Sequence, residues 1–212
     1  MDGRKVIGLT GLYCAGKNHV AGLLEQRGLP VLDVDKLGHR VIEIEKDLIA
    51  ARFGNDILTQ EGSIDRKKLG EKVFGRPAEL AALEEIIHPG ANRETLAWID
   101  ARNEKACIIN AALLHRSSAF TMLDAVIIVE APFFIRLLRA RKRDKLPWTT
   151  ILKRFTSQNK FPSQYFNKKT DIYRVSNPSC CMNSGYFRFR EDSEKEKLEK
   201  CIDEILSLRG IL

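Results

Sequence analysis

The segment Gly11-Leu12-Tyr13-Cys14-Ala15-Gly16-Lys17-Asn18 has the G-x-x-x-x-G-K spacing of a loop that wraps phosphates. The chemistry needs that spacing. Backbone N–H groups of a tight loop point inward at phosphate oxygens, and the helix that follows offers its positive end. A lysine after the second glycine reaches the β- and γ-phosphates. On this reading Gly11, Cys14, Ala15, Gly16, Lys17, Asn18 and His19 form a nucleotide-binding segment, with Cys14 a small filler and His19 on the helix surface. A glycine loop that only joins strand to helix is the alternative. Asn18 departs from the pattern, because a Ser or Thr hydroxyl at this position normally ligates Mg²⁺. An amide oxygen is also a hard donor, but it sits on a longer side chain.

A second group with chemical potential is Asp33-Val34-Asp35. It closes a short apolar run, at the strand end where open α/β sheets place their ligands. Alternation points both carboxylates to one face if the strand continues, and apart if it ends between them. For either residue taken singly, capping the next element is an equal alternative.

Charge adds a third feature. Thirty-five Lys and Arg against 28 Asp and Glu give +7. Arg136 to Arg174 alone holds twelve Lys/Arg and two acids, or +10, which leaves −3 for the rest. That distribution favours a local anion site over a basic coat for nucleic acid, with a solvated helix face as the alternative. Arg136, Arg139 and Arg143 recur at helical spacing on one face, with few acids to pair with.

The elements that position these residues follow from the hydrophobic pattern. Lys5–Thr10, Pro30–Asp33, Ala106–Asn110 and Ala125–Val129 read as short buried strands, and a last weak strand lies near Ile172–Val175. Helical patterns cover the stretch after the loop to about Arg27, Lys36 to about Arg102, Phe133–Arg143, Thr149–Gln158 and a C-terminal segment carrying Leu198, Ile202, Ile205 and Leu206. Within the long helical stretch Pro77 suits a first helical position, Leu69 and Val73 mark an amphipathic turn, and Pro89 interrupts. Near-continuous apolar strands predict an α/β fold, a parallel sheet flanked by helices. No run approaches the length of a membrane span, and a secretory leader is not expected from the N-terminal residues. Five cysteines without framework spacing suit a reduced, cytoplasmic protein.

Taken in order, the loop, Leu32-Asp33-Val34-Asp35-Lys36, His39, Ile64-Asp65-Arg66-Lys67-Lys68-Leu69, Val73-Phe74, His88-Pro89, Leu113-Leu114, Arg139, Arg143 and Gln158 resemble the dephospho-coenzyme A kinases. The likeness implies a P-loop kinase fold: a nucleotide-binding core of residues 1–35, 92–135 and 173–212, a helical acceptor-binding insertion of residues 36–91, and a basic helical lid of residues 136–172. It implies transfer of the ATP γ-phosphate to the ribose 3′-hydroxyl of dephospho-CoA, the last step of coenzyme A synthesis. Lys17, Asp35, Arg139 and Arg143 then carry catalysis, with Asp35 as the base and the two arginines in a lid over ATP. Asp33, Arg66 and His88 bind the acceptor; for His88 a helix-end role beside Pro89 is the even alternative. Mg²⁺ is expected with ATP, with no protein ligand assigned, and neither nucleic acid nor membrane is an expected partner.

The chain departs from this family at Asn18, at Ala112-Leu113-Leu114-His115-Arg116 where the Pro and Glu of Pro-Leu-Leu-Phe-Glu are absent, and in a loop poor in Gly and Ser. Pro178–Arg190, with Cys180-Cys181, has no counterpart. Its Tyr186-Phe187-Arg188-Phe189-Arg190 alternation suits an edge strand better than a single-stranded nucleic-acid surface. Two rival functions are a kinase for another nucleotide or nucleoside and a degenerate, non-catalytic NTP-binding protein.

Lys17→Ala is expected to abolish ADP release while circular dichroism and Tm stay those of the parent. Unchanged turnover in the folded variant contradicts the phosphate-loop reading.

Overall fold

In the computed structural model, which describes residues 4–116, 118–156, 170–178 and 185–211, the apolar runs become the strands of one sheet. They are β1 (Lys5–Gly11), β2 (Val31–Asp33), β3 (Ala106–Asn110), β4 (Ala125–Glu130) and β5 (Asp171–Ser176), in the order β2-β3-β1-β4-β5. β1 pairs in parallel with β3 and with β4, and β4 with β5. β3 is buried along its whole length, as strands covered on both faces must be. Only Val175 is buried in β5, which lies at the sheet's edge.

The helices are α1 (Lys17–Glu25), α2 (Val34–Ile44), α3 (Lys46–Phe53), α4 (Arg66–Val73), α5 (Pro77–Asp100), α6 (Phe133–Asp144), α7 (Trp148–Thr156) and α8 (Gly185–Leu208). Gln158, Cys180 and Cys181 lie outside the described residues. The Tyr186–Arg190 alternation begins α8 and does not form the edge strand that its pattern suggests. Period-2 alternation over five residues loses here to the helical repeat of Leu198, Ile202, Ile205 and Leu206 further along the same helix, which pack with Val20 and Leu24 of α1 against the sheet.

The chain divides into two compact units. One draws on Met1–Val31, Asn103–Arg116 and Phe120–Leu212, and the other on Leu32–Arg102. The second unit packs α2, α3, α4 and α5 around Ile49, Phe53, Ile57, Ile64, Leu69, Val73 and Leu83. It starts at Leu32 and ends at Arg102, so it is wider at both ends than residues 36–91. The far limit is set by α5, which Pro89 does not interrupt. Proline removes one helix hydrogen bond, but Leu83, Thr95 and Ile99 are buried on either side of it. Gly90 also lets α5 approach α2 closely: a Cβ there would lie 2.8 Å from Val41 Cγ1. Pro77 opens the helix, in the first-turn position where its missing N–H costs nothing.

Glycine matters most where β1 turns into the loop. A Cβ on Gly11 would meet the Val129 carbonyl oxygen of the neighbouring strand at 2.8 Å, a backbone contact that cannot yield without moving β4. Gly22, within α1, has nothing within 4 Å of its would-be Cβ. Gly11→Ala should therefore destabilise the fold by about 1–3 kcal/mol, and Gly22→Ala should stabilise it by about 0.5–1 kcal/mol. Urea unfolding of both variants checks the opposite signs.

Candidate active site

The loop leaves β1 at Gly11, and α1 starts at Lys17 with Gly16 as its N-cap. Gly16 is left-handed, at φ 95°, ψ 29°, and Cys14 also has a positive φ of 59°. Alternating left-handed residues turn successive N–H groups toward one concavity, the nest geometry suited to anions. The turn is closed by Ala15 N–H donating to Leu12 O at 2.9 Å and by His19 and Val20 N–H donating to Gly16 O at 2.9 and 3.2 Å. Lys17 is half-buried, and Asn18 and His19 are exposed, His19 as expected for the helix surface.

The carbonyl side of the loop is tied down. Arg139 Nη1 donates to Ala15 O at 2.9 Å and to Cys14 O at 3.3 Å. Asn177 Nδ2 donates to Ala15 O at 3.0 Å, and Arg139 Nη2 donates to Asn177 O at 3.0 Å. Asn177 is 2% exposed, and its own N–H donates to Glu130 O at 2.8 Å, which links it to the end of β4. Across a planar trans peptide the N–H points opposite to the C=O. Holding Ala15 O from behind therefore aims the Gly16 N–H to the other side. A Cβ at Gly16 would sit 2.1 Å from Asn177 Nδ2, so the second glycine of the motif is needed for space as well as for φ.

A second tie joins the loop to α6 and α7. The Tyr13 hydroxyl donates to Asp144, which also accepts from Arg143 Nε at 2.6 Å and from Arg154 Nη1 at 2.9 Å. The Arg143 and Arg154 guanidinium groups lie 5.2 and 5.7 Å from the centre of the Tyr13 ring, within cation–π range. The ring meets Phe155 edge-on at 5.4 Å, and Arg136 stacks over Phe155 at 4.8 Å. Of the few acids in the basic run, Asp144 pairs with Arg143, which forks onto it from the neighbouring position. The Arg143 hydrogen bond, then that of Tyr13, holds the Asp144 carboxyl down at about 2 against the cost of burial. Burial, followed by Asp144, pushes the Tyr13 hydroxyl up.

Asn18 Oδ1 accepts a long hydrogen bond, 3.4 Å, from Asn110 Nδ2 at the end of β3. Asn110 is 2% exposed, and its Oδ1 is buried without a hydrogen-bond partner among the described residues. One neutral amide oxygen thus stands where a hydroxyl normally ligates Mg²⁺, with a second amide beside it. They suit a hard cation approached through its water shell. Among the described residues no three His, Cys, Asp or Glu side chains gather into a metal site.

The other predicted residues belong to the second unit. β2 ends at Asp33 and α2 begins at Val34, so the strand does not carry both carboxylates. Asp33 takes the capping role, accepting the Lys36 N–H at 3.1 Å, while Asp35 is exposed in the first turn of α2. Arg66 is the exposed first residue of α4, behind Asp65, which caps that helix through the Lys67 and Lys68 N–H groups at 3.0 and 3.2 Å. His88 is half-buried inside α5 and not at a helix end.

Sequence reasoning missed Asn177, Asn110, Tyr13 and Asp144. Asn110 ends β3 and Asn177 directly follows β5, both polar residues at a strand's C-terminal end, and Asp144 is one of two acids in the basic run; those are the signals that could have found them.

Comparison with known proteins places this geometry. The dephospho-CoA kinase family profile matches residues 5–170. A dephospho-CoA kinase of Treponema pallidum is 30% identical over 98% of this chain and 96% of its own length. That of Anaeromyxobacter dehalogenans is 38% identical over 67% of this chain and 70% of its own. Among solved structures, a dephospho-CoA kinase from Campylobacter jejuni superposes with a TM-score of 0.60 at 26% identity, covering 95% of this chain and 97% of that one. A shikimate kinase from Bacteroides thetaiotaomicron, at 14% identity and TM-score 0.50 over 94% and 98% of the two chains, shares the fold.

The Asp144 tie has a defined pH dependence. Its carboxyl falls from the usual 3.8 to about 2 on folding, so its contribution is complete above the unfolded value and is lost as pH drops through the folded one. Asp144→Asn should cost about 1.5–3 kcal/mol at pH 7, the range for hydrogen bonds to a charged group. The gap in urea-unfolding stability between parent and variant should hold constant from pH 7 to pH 5 and narrow below pH 4. A gap that widens in acid contradicts the assignment.

Proposed function

The chain belongs to the dephospho-CoA kinase family, and from that premise we propose that its residues move the γ-phosphoryl group of ATP onto the ribose 3′-hydroxyl of dephospho-CoA. The observation that carries this reading is the phosphate loop with its carbonyls drawn back onto Arg139 and Asn177, inside a chain that matches the family over residues 5–170. The bond from the γ-phosphorus to the ADP oxygen breaks, and a bond to the acceptor oxygen forms. The acceptor proton passes to Asp35, the proposed base.

Phosphoryl transfer asks mainly for positioning and charge neutralisation. Lys17 and the loop N–H groups hold the β- and γ-phosphates, within the segment Gly11, Cys14, Ala15, Gly16, Lys17, Asn18 and His19. Arg139 acts through the loop, since its fork is engaged with Cys14, Ala15 and Asn177 carbonyls. Arg143 and Arg154 around Asp144 leave one positive charge beside Tyr13. Magnesium, bound with ATP, neutralises phosphate charge; Asn18 and Asn110 are the oxygen donors beside the loop that fit it. Arg66 and His88 are the proposed acceptor-binding side chains, with Asp33 holding the start of α2. Cys14, Cys107 and Cys201 are free thiols, which fits a reducing cytoplasm as the place of action. No helix among the described residues is long and apolar enough to cross a membrane.

ADP release measured with dephospho-CoA, adenosine and shikimate as acceptors tests the reading. Release with dephospho-CoA alone, and a product heavier by one phosphate, is expected. Nucleotide binding without ADP release for any acceptor identifies a non-catalytic binder, and a preference for another alcohol identifies another kinase.

A further inference from the structure

We propose that the outward face of α6 and α7 docks on an anionic lipid surface, with Phe134, Leu138, Trp148 and Leu152 entering the headgroup layer. This interaction is independent of the kinase reading and uses side chains that phosphoryl transfer leaves idle.

Helix α6 has two faces. On one, Arg136 and Arg139 reach loop carbonyls, and Ala140 packs with Ile151 and Phe155 of α7 and with Tyr13. Residues two positions apart in a helix point to nearly opposite sides. Phe134, Leu138 and Arg141 each stand two positions from Arg136 or Arg139, so they face away from the loop. Their exposure agrees: Phe134 is 75% exposed, Leu138 41%, and Arg141 is exposed as well. Helix α7 repeats the arrangement, with Ile151 and Phe155 buried while Trp148 and Leu152, one turn apart, are 47% and 45% exposed. Arg141 joins the two stripes. It donates to Leu146 O at 2.6 Å and lies 5.4 Å from the centre of the Trp148 ring. Four large apolar side chains are thus left outside the core that α6 and α7 share, as at an interaction surface.

Charge identifies the occupant. Phe133–Thr156 holds eight Lys/Arg and one acid, Asp144, which Tyr13, Arg143 and Arg154 already engage. Arg141, Lys142, Lys145 and Lys153 are exposed, and none has a carboxylate partner among the described residues. Along the chain Arg141, Lys142 and Lys145 lie between the apolar pair of α6 and that of α7, and Lys153 follows Leu152. With Arg141 stacked on Trp148, charge is set among the apolar groups. A protein interface has the reverse pattern, an apolar centre depleted of charge inside a polar rim. A lipid surface suits the mixed one. Aromatic rings rest at headgroup depth while Lys and Arg stems run along apolar surface to reach phosphates. The negative potential of an anionic leaflet adds an attraction that salt screens. No helix among the described residues is long and apolar enough to cross a membrane, so the contact is with the surface.

The test is co-sedimentation of the full chain with vesicles of phosphatidylcholine alone, or of phosphatidylcholine and phosphatidylglycerol in equal parts. The parent should sediment only with the anionic vesicles, and less as salt is raised. Phe134→Ser/Trp148→Ser and Lys142→Glu/Lys153→Glu should each weaken partitioning about 10-fold or more, the first through lost apolar insertion and the second through reversed charge. Lys197→Glu/Lys200→Glu makes the same change of charge on exposed positions of α8 and should leave partitioning nearly parental. All the replaced side chains are exposed, so circular dichroism and ATP affinity by calorimetry should match the parent in every variant. Absence of binding to either vesicle overturns the proposal, as does equal binding to both. Equal loss in the α8 variant also overturns it, because binding then follows net charge and not this face. Sedimentation velocity supplies the remaining outcome. Self-association that Phe134→Ser/Trp148→Ser abolishes, without vesicle binding, assigns the face to a second copy of the chain and overturns the lipid assignment.

Discussion

The carbonyl oxygen of Ala15 is the point on which the site depends. It accepts from Arg139 of α6 at 2.9 Å and from Asn177, just beyond β5, at 3.0 Å. A phosphate loop must present several N–H dipoles to one anion before the anion arrives, and those dipoles repel one another in the empty state. Pulling the opposite ends of the peptides onto fixed donors offsets that repulsion within the fold, so the loop need not be ordered at the expense of binding. Both donors are well supported. Asn177 is buried and bonded to Glu130, and Arg139 lies one helical turn from Arg136 and Arg143, which also engage the loop or its neighbours.

Strand order explains why these donors can reach the loop. β1 lies between β3 and β4, with β5 beyond β4. The C-terminal ends of three neighbouring strands therefore supply Asn110, the chain leading into α6, and Asn177 around the loop that leaves β1. Tyr13 extends the arrangement to α7 through Asp144, Arg154 and Phe155. The basic segment is thus fastened to the loop by Asp144 and by aromatic contacts.

What could be read from the chain alone follows from distance along it. The loop is contiguous, so Gly11 to Lys17 announces itself, and β1, β3 and β4 are legible because burial on both faces leaves them mostly apolar. Ala15 and Asn177 are 162 residues apart, and no local pattern marks Asn177 as a loop donor. Asp33 illustrates a different limit: a carboxylate at a strand end satisfies the rules for a ligand and for a helix cap equally, and only the start of α2 at Val34 shows that it caps. Pro89 misleads for an energetic reason, since the cost of one lost helix bond is smaller than that of unburying the apolar face of α5 on both sides of it. In Tyr186–Arg190 five residues of alternation carry less weight than the helical repeat downstream in α8.

Amide hydrogen exchange in the nucleotide-free protein tests most directly whether the loop is held from behind. The amides of Ala15, His19 and Val20 close the turn by hydrogen bonds within the loop and its helix. If Ala15 O anchors that turn, Asn177→Ala should speed exchange at these three amides by about 5- to 10-fold, the factor set by a hydrogen bond of about 1 kcal/mol. Amides of β3 and of α5 should keep their parental rates. Parental exchange at Ala15, His19 and Val20 in a folded Asn177→Ala variant would show that the loop keeps its shape without this tie, and would contradict the account.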